Sequence, residues 1–294
     1  MASRVAVLCL PTAAALVCCV WSRPASAQTV WDRFVIRQNL DSKKEVAKPA
    51  FVELTVPKDK DPVYAVGIGV TYAAVARSLV TFGPSLEYVR NTTVDKEVNS
   101  TKLGAELEWQ VRPTGRRVNR TQSPIVMARG GYKRDDVKDT AGATAAVSYT
   151  HLFIGPGPAF RPNIAFGPAQ FTAIYSPLIG VEYEDNISAA TAADEGLVAR
   201  LVGQIDVALY PGSLYLDNRF EIVMSYAYRE DVIDDTAAAD DSHPFGSVSV
   251  NYYFVREKKR AVGLGVTYAN GEDPSKGFSP QNFWQIGLRF QIKP

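Results

Sequence analysis

Beyond residue 19 the sequence contains no cysteine, because its three cysteines are Cys9, Cys18 and Cys19. The rest of the chain therefore has no disulfide framework and no thiolate to serve as ligand or nucleophile. Histidine is almost as scarce, with only His151 and His243, which excludes a His/Cys zinc cluster. No glycine-rich phosphate loop follows a strand and opens a helix. Charge of either sign is not in excess, since 32 Lys+Arg face 31 Asp+Glu, the wrong balance for a nucleic-acid binder. With 46% hydrophobic residues and with 21 Gly and 18 Pro spread among them, the chain is not disordered, collagen-like or coiled-coil either. What remains is a large folded body to which composition assigns no cofactor, no metal and no catalytic residue.

Long apolar runs are also missing, except at the start. Arg4 gives a short positive beginning, Val5 to Val20 is nearly free of charge, and Ala25-Ser26-Ala27 supplies small residues before Gln28. This pattern predicts a cleaved secretory signal over residues 1–27. As a membrane anchor the run is short, is broken by Pro11 and lacks a basic stop-transfer patch. As a lipoprotein signal it has Val17 where a small residue should precede Cys18.

The remaining sequence alternates with a period of two. Leu103, Ala105, Leu107, Trp109 and Val111 interleave with Lys102, Gly104, Glu106, Glu108, Gln110 and Arg112, which is a strand with one apolar and one polar face. The pattern recurs, ending with Trp284, Ile286, Leu288, Phe290 and Ile292 set against Gln285, Gly287, Arg289 and Gln291. The runs exceed the five or six residues usual for soluble sandwiches and suit the 9–11 of a strand tilted across a bilayer. In that setting apolar residues face lipid and polar or small ones face a lumen, with tyrosines and tryptophans such as Tyr88, Trp109, Tyr210 and Trp284 forming interfacial girdles.

The fold predicted is all-β, a single closed antiparallel transmembrane β-barrel of about 12 strands, with 10 or 14 as alternatives because Ala143 to Phe153 and Ile154 to Pro168 alternate weakly. The expected strands are 49–57, 62–73, 80–90, 100–112, 123–133, 142–153, 170–184, 197–210, 219–229, 245–255, 261–269 and 282–292. Residues 28–48 read as a short periplasmic lead-in and 49–294 as the barrel, with no stretch left over for a plug. Aspartates gather in the links this count places outside, including Asp95, Asp135, Asp136, Asp185, Asp194, Asp231, Asp234, Asp235, Asp240 and Asp241, while Arg116, Arg117, Arg120 and the turn Arg256 to Arg260 fall on the other rim.

With its leader, its repeated dyad strands and its closing Trp284 to Ile292 strand, the chain resembles the outer-membrane β-barrel proteins of Gram-negative bacteria, porin-like in architecture. The resemblance covers nearly the whole chain after the leader but carries no motif of one member. It implies an outer-membrane location, contact with membrane lipid and lipopolysaccharide, and reading of the last strand by the barrel-assembly machinery, although Phe290 is followed by Gln291, Ile292, Lys293 and Pro294 rather than standing last.

Catalytic readings are weaker than the lumen itself. His151 lies between Tyr149 and Phe153, away from the rim where outer-membrane phospholipases work. Asp241-Ser242-His243, with Asp59 and Asp61 opposite, loosely resembles the rim pairs of omptin proteases, but a solvated loop histidine explains it more simply. The expected lumen-lining residues are Lys102, Glu106, Glu108, Arg112, Arg129, Lys133, Arg200, Asp206, Arg219, Glu221 and Arg289, with Glu53 and Glu87 beside them. Such a mixed-charge interior predicts a narrow porin-like channel or a barrel that binds small solutes or ions. A non-conducting structural barrel, acting through its acidic loops, is the alternative.

Overall fold

The computed structural model describes residues 33–43, 46–55, 63–77, 79–93, 97–111, 122–153, 161–168, 170–189, 195–236, 241–257, 259–273 and 279–292. The leader, Arg112, Asp59, Asp61, Asp95, Arg116, Arg117, Arg120, Asp194 and Asp240 lie outside them. Fourteen strands are present: β1 (Phe34–Arg37), β2 (Ala50–Thr55), β3 (Val63–Tyr72), β4 (Val75–Arg77), β5 (Val80–Asn91), β6 (Val98–Gln110), β7 (Gln122–Asp135), β8 (Thr140–Phe153), β9 (Phe171–Ser188), β10 (Gly196–Pro211), β11 (Phe220–Asp234), β12 (Ser242–Arg256), β13 (Arg260–Asp273) and β14 (Ser279–Ile292). A one-turn helix, α1 (Ser213–Leu216), joins β10 to β11. Consecutive long strands pair antiparallel and the sheet closes where β2 bridges β3 and β14.

These fourteen segments form twelve staves. β4 continues β3 after an irregularity, because Thr71 pairs with Ser85 and Val75 with Phe82 on the same neighbour, β5. β1 and β2 likewise share one position. Against β3, Arg37 pairs with Gly69 and Phe51 with Gly67; against β14, Ile36 pairs with Ile292 and Ala50 with Phe290. Arg37 and Ala50 are therefore consecutive rungs of the wall. Residues 38–43 leave that wall and residues 46–49 return to it, pinched at the neck by the Gln38 N–H donating to the Lys48 carbonyl at 2.8 Å.

Each expected strand is present. The alternation also selects the faces as expected. Leu103, Ile179, Trp284 and Ile286 point outward and are 63%, 64%, 72% and 67% exposed, whereas Glu106, Arg200, Asp206, Glu221 and Arg289 on the opposite face are buried. Several strands run past the predicted ends: β9 reaches Ser188, β11 reaches Asp234, and β12 begins at Ser242. All of these extensions lie at the end opposite Ile292, here termed the loop end; the end that holds Ile292 is the terminal end. Ladder hydrogen bonding continues there after the apolar pattern has stopped, because the backbone groups still need partners. The described links at the loop end hold Glu97, Asp136, Asp139, Glu195, Asp235 and Asp241 with Lys138, and those at the terminal end hold Arg161, Arg219 and Lys259 with Asp217 and Glu257.

Close strand approach explains one glycine pair. Gly104 on β6 faces Gly131 on β7, and a Cβ at Gly104 would fall 2.1 Å from the Gly130 carbonyl oxygen and 2.8 Å from Gly131 Cα. Only hydrogen fits in that space, so Gly104→Leu is expected to prevent closure of the β6–β7 ladder. Loss of the compact, heat-modifiable form on gel electrophoresis would report it.

Candidate functional site

The lumen is filled from two sources, the inward loop of the first stave and the charged side chains of the wall. Of the described part of the lead-in expected over residues 28–48, Phe34–Arg37 belong to the wall and residues 38–43 and 46–48 contact inward side chains of the barrel. At the base of the loop, Arg37, 1% exposed, donates to both oxygens of Glu106 at 2.6 and 2.7 Å and to the Ser42 carbonyl at 2.5 Å. Thr71 Oγ1 donates to the same carboxylate at 2.7 Å. Further along, the Leu40 N–H donates to Glu87 Oε2 at 3.1 Å, and the Asp41 carboxylate pairs with Arg129. Gln204 Nε2 donates to Ser42 Oγ at 3.1 Å. Val46 packs against Ala208, Tyr210 and Ile174. On the return, Gln291 Nε2 donates to the Ala47 carbonyl at 3.1 Å and Lys48 donates to Ser247 Oγ. The described part of the loop thus touches β5, β7, β9, β10, β12 and β14, on opposite sides of the lumen.

Toward the loop end the inner wall carries a continuous chain of opposite charges. Lys133 pairs with Glu184 at 2.7 Å, Arg200 with the same carboxylate at 3.2 Å, and Arg200 with Asp231 at 2.8 Å. His243 then lies 3.2 Å from Asp231 through Nε2 and 2.5 Å from Glu272 through Nδ1. Six strands are linked in this way. A second group joins Arg129 to Glu182 at 3.1 Å and Glu182 to Arg229 at 2.9 Å. A third places Arg289 2.8 Å from Glu53 and over the Phe51 ring. Small inward residues make these reaches possible. Ala146 stands in register between Arg129 and Glu182, and its methyl leaves room for the two long side chains to meet over it.

The terminal end has a different chemistry. Glu221, 1% exposed, accepts from Tyr210 Oη at 2.8 Å and from the Tyr253 hydroxyl, with Arg256 stacked over both rings at 5.3 and 4.7 Å. Phenolic donors satisfy the buried carboxylate, and the guanidinium lies against their π-faces.

Among the expected lumen residues, Lys102, Glu106, Glu108, Arg129, Lys133, Arg200, Asp206, Glu221 and Arg289 lie on the inner face. Arg219 does not; it precedes β11 and its side chain is exposed at the terminal end, although its carbonyl still accepts from the Tyr253 N–H at 2.8 Å. Arg112 is outside the described residues. Asp231 and His243 are not in a solvated link, since both are buried in strand extensions of the wall. Asp135, at the end of β7, is buried and accepts from the Val137 N–H at 2.9 Å. His151 faces outward, its Nδ1 2.8 Å from the Tyr149 hydroxyl. Glu182 and Glu184 alternate with Val181 and Tyr183, so the rule that selects Lys102 also reaches them; Arg37, Asp41 and Lys48 gave no such signal.

Between the loop and the ion-pair chain lies a cavity of about 80 Å³, lined by Asp41, Glu87, Lys102, Arg129, Lys133, Glu182, Glu184 and Arg200 among others. At about 30 Å³ for each water in the liquid, this is room for two or three waters.

Neither a family model nor a curated protein matches the chain. One solved structure, from a study described as "Unveiling the Mechanism Behind the in-meso Crystallization of Membrane Proteins", is similar at 10% identity over 83% of each chain, with a TM-score of 0.38. A likeness of that size carries no argument about this chain.

Proposed function

We propose that the chain is an outer-membrane β-barrel that acts as a gated pore, held shut in this state by residues 38–49. The observation that carries the reading is the continuity of the first stave. Because Arg37 and Ala50 are already neighbouring rungs, the loop can leave the lumen without breaking a hydrogen bond of the wall. Side chains alone suffice to fill a small barrel, whereas here part of the filling comes from a detachable backbone segment. The membrane reading is supported by the outer face, where large apolar side chains stand exposed on nearly every long strand; contiguous apolar surface of that extent marks contact with lipid or protein. The described loop-end links are mainly acidic, whereas those of the terminal end mix both signs.

Trp109 and Trp284, 47% and 72% exposed on the outer wall, give a direct test. In vesicles whose acyl chains carry bromine, their fluorescence is expected to be quenched, and replacing both with Phe should remove the quenched component. Unquenched emission from these two tryptophans would place the apolar face outside lipid and end the pore reading. The non-conducting barrel remains the second reading, favoured by the paired charges of the wall, and conductance separates the two.

A further inference from the structure

We propose that the cavity above the loop is a binding site for the carboxylate group of a small solute, and that in the closed state the chain's own Asp41 occupies it. The inference rests on the gated-pore reading and names the chemical class that would work the gate.

Three observations converge. First, Asp41 is held as a ligand would be: it pairs with Arg129, and Arg229 and Lys102 are near enough to act on it electrostatically. A carboxylate brought in on a loop and placed among three cations marks where a free carboxylate would settle. Second, Lys102 is surplus to the fold. It lines the cavity, yet among the described residues it makes no hydrogen bond or ion pair, while Arg129, Lys133, Arg200 and Arg229 are all paired. It also sits in register opposite Lys133, an arrangement of like charges that costs stability and that a bound anion would relieve. Glu87, its cross-strand neighbour on the other side, is engaged by the Leu40 N–H of the loop. Third, there is space: the cavity of about 80 Å³ is lined by Lys102 and Arg129 together with Asp41.

A solute carboxylate that takes Arg129 and Lys102 removes one of the anchors of residues 38–49. Binding and loop release are thereby coupled, as they must be when one ligand favours only the open state. Conversely, Asp41 competes with any carboxylate from outside.

Line broadening of carbon-13-labelled acetate, titrated onto the refolded protein in detergent, tests this. Asp41→Asn should bind acetate roughly tenfold more tightly than the parent, if the loop leaves the site empty about a tenth of the time or less. The added change Lys102→Met should return binding to the parent level or below. A chain lacking residues 38–49 retains Lys102, Arg129 and Arg229 and should match Asp41→Asn, which keeps the test intact if the point variant refolds poorly. No gain in affinity in either variant, or a gain that survives Lys102→Met, overturns the site. Acetate binding in a chain whose lumen never conducts would leave the site standing and remove the pore; conduction without acetate binding would do the reverse.

Discussion

Excising residues 38–49 and joining Arg37 directly to Ala50 is expected to convert a silent barrel into a steadily conducting one in planar bilayers. The wall should not notice the change, because the excision joins two residues that already occupy successive rungs against both β3 and β14. What disappears is the crossing of the bore: the contacts to Glu87, Arg129, Gln204, Ser247 and Gln291 and the packing of Val46 on Tyr210. A twelve-strand barrel lies between the filled eight-strand and the water-filled sixteen-strand cases, so its interior is wide enough to carry ions once the backbone segment is gone. Charged side chains still narrow the path, which makes the current ion-selective rather than large. If the excised protein refolds to the compact form and stays silent, the interior is closed by its side chains alone and the barrel is structural.

Glu184→Gln is expected to lower stability to unfolding in detergent by about 1–3 kcal/mol, less than the cost of splitting a fully buried ion pair because Lys133 and Glu184 are part-buried. Glu184 is the junction of the luminal chain, shared by Lys133 and Arg200. Arg200 retains Asp231 after the change, but among the described residues Lys133 keeps no other ion-pair partner and its ammonium remains inside. Removing the stranded charge as well, in Glu184→Gln with Lys133→Gln, should recover most of the loss, since the penalty belongs to the uncompensated cation rather than to the missing bond. Additive losses in the double variant would show that the two residues do not act as a pair. The chemical denaturation midpoint of the refolded protein, followed by tryptophan fluorescence, reads both outcomes.

The wall was legible in the sequence because a closed sheet with unlike solvents on its two faces imposes strict alternation, and residues such as Leu103, Lys102, Ile286 and Arg289 each declare a face. The loop was not. Gln38 to Pro49 is polar, lysine-rich and ends in proline, the composition of an exposed connector, and the four residues of β1 are too few to display a period. Its one trace is that Val35 and Ile36 are apolar and that the strand pattern resumes at Ala50, which only the register joins together. The charge chain at the loop end was hidden for another reason: Asp231, His243 and Glu272 occupy strand positions beyond the apolar band, where both faces are polar and alternation no longer distinguishes in from out.

The seam between the two ends of the chain is short. β14 meets the first stave from Gly287 opposite Glu53 to Phe290 opposite Ala50 and again at Ile292 opposite Ile36, whereas it meets β13 from Ile292 opposite Arg260 to Ser279 opposite Asp273. Joining residues so far apart in sequence costs chain entropy that few hydrogen bonds repay at that edge. The neck of the inward loop lies on this same edge, so the segment that fills the lumen hangs from the least-paired seam of the cylinder.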